Sequence, residues 1–362
     1  MTEFSLKNIS ANLAVYGIMH AMIDATCAAI FFSIMGNRII GASELIYFAI
    51  FYNILAFALQ AGLGPIVDYF KAPRVAAIAG CILAVISTMS YTYFPLAAIF
   101  FAGVGNSLFH LGGGSISLNL TPKKAVAPGI FVAPGALGLL AGTLLGKSGK
   151  FIAWPFILTL VILCLLMLAI KKPPINYQKA KVAKDKIKYF WAILLLVFLA
   201  ITIRSLIGFV VVFPWKTDIN LLIILTLAVA LGKGLGGIIA DKFGWIKIAV
   251  GTLILSMPLL AFGTGNFYLG IIGMFLFNVT MPVTLVAISN ILPGQPAFAF
   301  GLTCLALILG AVPAFIGLNW IFNQYYIILA IIYVSAAALF SGLKLLLNIN
   351  IFSYNKEGTN LT

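Results

Sequence analysis

Asp24 is the one carboxylate of this chain set well inside a long apolar run, and His20 precedes it by four residues. On a helix that spacing places both side chains on one face, a turn apart. Asn106 and His110 repeat the spacing in a second run, Arg204 interrupts a third, and Asn278 and Thr280 interrupt a fourth. An ionisable group at bilayer depth costs at least about 2.5–3.5 kcal/mol on insertion scales, so each needs a reason to be there. A carboxylate beside an imidazole can exchange protons near neutral pH, which makes Asp24 and His20 candidates for proton coupling. Arg204 carries a permanent planar cation that suits carboxylate or phosphate. With His110, Asn106, Asn278 and Thr280 it forms a candidate substrate site. The plainer alternatives are that Arg204 only neutralises Asp24 and that His110 is a satisfied core histidine. Lys233 and Gln60 are weaker candidates, and Lys233 could equally snorkel to the membrane interface. Two histidines and one interior carboxylate offer neither a Ser-His-Asp set nor clustered metal ligands, so no enzyme, metal or cofactor is expected.

The elements that hold these residues follow from composition. Hydrophobic residues make up 63% of the 362 and charged residues 8%, against about 25% charged in a soluble domain. Mean hydropathy is +1.15. Twelve apolar runs are long enough to cross a bilayer core as helices of about 20 residues: 11–35, 44–66, 75–91, 94–120, 127–147, 152–170, 189–212, 219–240, 246–263, 267–291, 297–320 and 325–347. No period-2 alternation suggests a membrane barrel. The first run is too long for a signal-peptide core and is expected to be retained. Cys27, Cys81, Cys164 and Cys304 show no disulfide or metal spacing.

The net charge of +14 is not a nucleic-acid signature, because of where the charges fall. With the N-terminus cytoplasmic, sixteen basic residues lie inside: Lys7, Lys71, Arg74, Lys123, Lys124, seven lysines from Lys171 to Lys188, Lys242, Lys247, Lys344 and Lys356. Outside lie only Arg38, Lys147, Lys150 and Lys216. That asymmetry predicts both termini in the cytoplasm. The five tryptophans fall at predicted helix ends, where an indole favours the interface.

The chain is also a duplication. Gly64-Pro-Ile-Val-Asp68-Tyr-Phe-Lys71-Ala-Pro-Arg74 returns as Gly237-Ile-Ile-Ala-Asp241-Lys242-Phe-Gly244, with the aspartates 173 residues apart. At an offset of 172, residues 103–141 align with 275–313, pairing Asn106 with Asn278 and Gly129 with Gly301; Gln60 and Lys233 also correspond. The basic segment 171–188 separates the halves. The expected organisation is a six-helix bundle over 1–170, that linker, a second bundle over 189–347 and a cytoplasmic tail over 348–362. Parallel six-helix repeats are a transporter plan with substrate bound between them at mid-membrane.

These features resemble the major facilitator superfamily. The repeated Gly-x-x-x-Asp-[Arg/Lys] turn is that family's loop motif. Its second copy, with Gly237, Asp241, Lys242 and Gly244, is closer than the first, where Tyr69 and Pro73 depart from it. His20-Ala-Met-Ile-Asp24, Gly103-Val-Gly-Asn-Ser-Leu-Phe-His110 and Ile291-Leu-Pro-Gly294 are similar to the fosmidomycin-resistance branch of drug exporters. The family's helix-5 glycine pattern is found at Gly129, Gly138, Gly142 and Gly146, with Thr143 in place of its proline. The resemblance implies two pseudo-symmetric six-helix bundles in an all-α membrane protein and a central cavity lined by the first, fourth, seventh and tenth spans. It also implies a monomer in a prokaryotic inner membrane. Asp68 and Asp241, with Gly64, Arg74 and the residues just named, are expected to latch the cytoplasmic face in one conformation. The run Gly232-Lys-Gly-Leu-Gly-Gly237 lacks the strand and the Ser/Thr of a phosphate loop, so no nucleotide is expected. The leading expectation is therefore proton-coupled export of a small anionic or amphipathic molecule. A nutrient symporter or uniporter stands second, and a membrane-embedded enzyme or a non-transporting sensor represents other classes.

Overall fold

The chain is described here by a computed structural model covering residues 4–36, 42–349 and 351–353. Arg38, Lys356 and most of the expected tail lie outside these residues. Helices dominate: α1 (Leu6–Gly36), α2 (Ala42–Asn53), α3 (Leu59–Tyr69), α4 (Pro73–Ser90), α5 (Pro95–Leu120), α6 (Val126–Lys147) and α7 (Ala153–Ala169) precede the basic segment. After it come α8 (Ile187–Val210), α9 (Ile219–Phe243), α10 (Trp245–Phe262), α11 (Phe267–Asn278), α12 (Thr280–Ile291), α13 (Pro296–Phe315), α14 (Asn319–Phe322) and α15 (Tyr325–Asn348). A π-helical turn at Ile54–Ala58 joins α2 to α3 in one span. Among the described residues, eleven helices are long and apolar enough to cross a membrane, and α7, at 17 residues, is a shorter apolar helix. The chain is thus an all-helical integral membrane protein.

Local sequence explains most boundaries. Proline occupies the first turn of α4, α5 and α13, where its missing N–H costs nothing. Asp218 and Asn266 cap α9 and α11 through their side-chain oxygens. Two boundaries differ by five residues from expectation. The first helix begins at Leu6 instead of 11, because its polar first turn winds onto the Ser5 hydroxyl, which accepts from Asn8 N at 3.3 Å. The span expected over 297–320 stops at Phe315, after Pro313, and the chain turns through Gly317 at φ +79°.

Packing relies on small residues, as is usual where lipid supplies no hydrophobic drive between helices. Gly138, Gly142 and Gly146 of α6 sit directly on the backbone of Ala21, Ala25 and Ala29 of α1, so any Cβ there would collide with those carbonyls. The segment 171–188 is mostly irregular. Its Lys181–Val182 pairs antiparallel with Phe352–Ser353, and Gln178 packs so closely on Gly294 that a Cβ there would lie 2.6 Å from its carbonyl oxygen. Outward faces carry exposed Leu165, Leu195 and Leu255, as lipid-facing positions do.

Candidate binding cavity and its closed end

Four polar side chains from α1 and α5 form one bonded unit. Asp24 Oδ2 lies 3.2 Å from His20 Nε2, and Asp24 Oδ1 lies 3.6 Å from His110 Nε2. Asn106 Nδ2 donates to Asp24 Oδ1 at 3.1 Å. The two imidazoles meet through Nε2 atoms 2.9 Å apart. Each ring is anchored from behind: His20 Nδ1 is 2.9 Å from the Phe131 carbonyl of α6, and His110 Nδ1 is 2.8 Å from the Asn106 carbonyl. Room for this unit comes from Gly135 of α6, where a Cβ would strike His20 Nε2 and come within 2.7 Å of Asp24 Oδ2. Gly135 was not a sequence candidate, although its place one turn before Gly138 in the same glycine series was visible.

The expectation that no metal-type donors cluster needs correction. One ligand atom each from His20, Asp24 and His110 lies within 4.8 Å of the others. The 90 residues separating the histidines concealed this grouping in the sequence.

This unit lines a cavity of about 600 Å³ that Arg204 of α8 and Lys233 of α9 also line. Arg204 does not pair with Asp24: among the described residues the carboxylate's ion partners are the two histidines, and the buried Arg204 Nε has no hydrogen-bond partner. Lys233 lines the same cavity. The remaining lining is largely apolar, with Met274, Met281, Phe300 and Leu307 contributing, and it reaches exposed Lys147 and Lys216 at one end.

Other sequence candidates fall elsewhere. Asn278 Nδ2 donates back to Met274 O at 2.9 Å and Thr280 Oγ1 to Phe277 O at 3.0 Å, and neither lines the cavity. Gln60 is fully buried and donates to Ala56 O on its own helix at 2.7 Å. Asn106 does not line the cavity and meets the site through its amide on Asp24 and its carbonyl on His110.

The opposite end from Lys147 and Lys216 is tied shut by two reciprocal contacts. Asp68, at the end of α3, accepts from the N–H groups of Ala297 and Phe298 at 3.0 and 2.9 Å, in the first turn of α13. Asp241, near the end of α9, accepts from Ala125 and Val126 N–H at 3.0 and 2.9 Å, where α6 begins. Each carboxylate therefore caps a helix N-terminus contributed by the other half, where unpaired N–H groups and the helix dipole favour an anion. The motif glycines allow this approach: a Cβ on Gly64 would lie 2.7 Å from Phe298 Cα, and one on Gly237 would strike the Ala125 carbonyl. One turn deeper, Gly129 rests on the Lys233 carbonyl and Gly301 on that of Gln60. Gly244 turns the chain at φ +98°, and Lys71, its counterpart in the first copy, does so at +52°. Arg74 serves its own half, donating to Leu168 O at 3.4 Å and Ile170 O at 2.5 Å. Lys242 is exposed, with its ammonium over the Phe243 ring.

No protein-family profile and no curated protein matches the sequence. Solved structures do match in fold. A variant of the Escherichia coli fucose:proton symporter FucP superposes with TM-score 0.71 at 13% identity, over 94% of this chain and 98% of its own. FucP solved in the outward conformation gives 0.68 at 13% identity, over 93% and 99%. The human organic anion transporter MFSD10 gives 0.68 at 13% identity, over 95% and 100%. The fold that brings His20, Asp24, His110, Arg204 and Lys233 to one cavity is shared with FucP, a major facilitator superfamily transporter, and with MFSD10.

Proposed function

We propose that this protein is a secondary transporter that moves a small anionic or amphipathic molecule by alternating access and couples that movement to protons. The observation that carries this reading is the cavity itself. It reaches the surface at the Lys147 and Lys216 end, is closed at the Asp68 and Asp241 end, and holds a buried, unpaired arginine together with a carboxylate–imidazole unit. An unpaired buried guanidinium is costly, and a bidentate carboxylate, phosphate or phosphonate relieves that cost. In this reading Arg204 and Lys233 bind the substrate's anionic group, and the methionines, Phe300 and Leu307 accept its apolar part.

Under the charge asymmetry of the loops, both termini are cytoplasmic and this conformation opens away from the cytoplasm. Twelve spans in two six-helix bundles, acting as a monomer in a prokaryotic inner membrane, complete the reading, with α7 as the sixth span. Asp68 and Asp241 act as latches, since their caps on α13 and α6 exist only while the cytoplasmic ends of the halves touch. The glycine contacts make α1 and α6 one tight pair that moves as a unit. The drug-exporter resemblance around His20, Asp24 and His110 favours export. The fold likeness to a fucose:proton symporter favours uptake with protons as the second reading.

Purified protein in proteoliposomes decides between them. A thermal-shift screen of organic anions identifies a ligand, and its radiolabelled flux is then followed under an imposed pH gradient. Accumulation against proton flow marks export, and accumulation with it marks symport. Absence of any flux for ligands that bind rules the transport reading out.

A further inference from the structure

The two histidines present an unusual problem of hydrogen-bond accounting. His20 Nδ1 faces the Phe131 carbonyl and His110 Nδ1 faces the Asn106 carbonyl, at 2.9 and 2.8 Å. A carbonyl oxygen only accepts, so each Nδ1 carries its ring's hydrogen. A neutral imidazole has one N–H, which leaves both Nε2 atoms bare in the neutral pair. Those atoms face each other at 2.9 Å, the length of an N–H···N hydrogen bond. Two bare lone pairs at that distance repel, and nothing else in the arrangement can separate them. A proton on Asp24 does not help, because it could reach only one ring and would leave the other lone pair opposed.

We propose that the site holds its coupling proton between His20 Nε2 and His110 Nε2, as one shared imidazolium, with ionised Asp24 as its counter-ion. This rests on the transport reading for its purpose, but not for its geometry. Asp24 approaches both Nε2 atoms, at 3.2 and 3.6 Å, and is steadied by the Asn106 amide. Gly135 closes the other side without adding a side chain. The proton is therefore bridged between α1 and α5, and His110, a substrate candidate by sequence, becomes half of its seat.

Other charged groups favour a proton over a metal. Arg204 on α8 and Lys233 on α9 share the cavity, so with Asp24 ionised it already carries an excess of positive charge. A divalent ion would add twice the charge of a proton in a low-dielectric space with no further carboxylate to offset it. The neighbouring titratable groups Cys27 on α1, Tyr52 on α2 and Cys304 on α13 are neutral in their ordinary forms at physiological pH. Deprotonation would leave Asp24 uncompensated in front of Arg204, where it competes with an anionic substrate. Proton and anion binding should consequently reinforce one another.

The chain contains two histidines in all, so histidine labelling reports this pair alone when the purification tag is free of histidine. Nitrogen-15 NMR of histidine-labelled protein at neutral pH should show three N–H protons on four ring nitrogens, with scalar coupling across the N–H···N bond. Infrared spectra with labelled aspartate should show no protonated carboxylic acid that is lost in Asp24→Asn. Two neutral rings, or a protonated Asp24, would overturn the proposal. So would a nitrogen spectrum that shifts on adding one equivalent of Zn²⁺ and returns with chelator, since a metal would then be the native occupant. The nitrogen spectra require no variant to fold and no flux. A shared proton in a protein that transports nothing would remove the transport reading and leave this one standing, and flux without a shared proton would do the reverse.

Discussion

Residues from the two halves of the chain treat their charges in this cavity in opposite ways. Residues from the first half, His20, Asp24, Asn106 and His110, bond to one another, with Asn106 Oδ1 alone among their buried side-chain atoms left without a partner. Residues from the second half, Arg204 and Lys233, stand in the same cavity without an ion partner among the described residues. Both sides meet the same desolvation penalty. The bonded side meets it largely through its own contacts. The unbonded side leaves it outstanding, which is the condition of a site that waits for an anion.

The largest effect should come from removing the charge of the bonded side. Asp24→Asn is expected to abolish pH-gradient-driven accumulation while leaving downhill exchange measurable, because the imidazolium loses its counter-ion. Undiminished accumulation by the variant, followed with labelled ligand in proteoliposomes, would show that the two sides are not divided in this way. Next comes the unbonded side. Charged hydrogen bonds contribute about 1.5–3 kcal/mol, so Arg204→Ala should weaken binding of anionic ligands by roughly 10- to 100-fold and of neutral ones little. Arg204→Lys should fall between, since a point charge cannot reproduce the guanidinium fork. Calorimetric titration checks both, and equal losses for neutral and anionic ligands would make Arg204 structural. Lys233→Gln should cost anion affinity a few-fold, on the order of 1 kcal/mol, with little effect on coupling. A loss of coupling in this variant would move Lys233 to the other side of the comparison.

The smallest effects belong to the closed end, where a cap is worth about 0.5–2 kcal/mol. Asp241→Asn and Asp68→Asn should slow exchange several-fold with equilibrium affinity nearly unchanged. The effect should be larger at Asp241, whose carboxylate also accepts from Trp245 Nε1 at 2.8 Å; the matching position in the first copy is Ala72. Stopped-flow exchange beside equilibrium titration separates the outcomes. Reduced affinity with unchanged exchange would place these aspartates outside the gate.

The sequence by itself determined that this is a helical membrane protein and where most of its helices begin and end, and it showed that the turn around Asp68 returns around Asp241. Lipid forces every spanning segment to satisfy its own backbone, so hydropathy and length suffice, and proline, glycine and capping residues mark the ends locally. It also singled out Asp24, His20, His110 and Arg204, because a polar residue in an apolar run is conspicuous wherever it stands. What it could not decide was which of them meet. Tertiary packing alone set His20 against His110, 90 residues apart, separated Arg204 from Asp24, and turned Lys233 inward. The partners of Asp68 and Asp241 were hidden for a further reason. They are backbone N–H groups 229 and 116 residues away, and a backbone amide looks the same at every position until folding exposes the end of a helix.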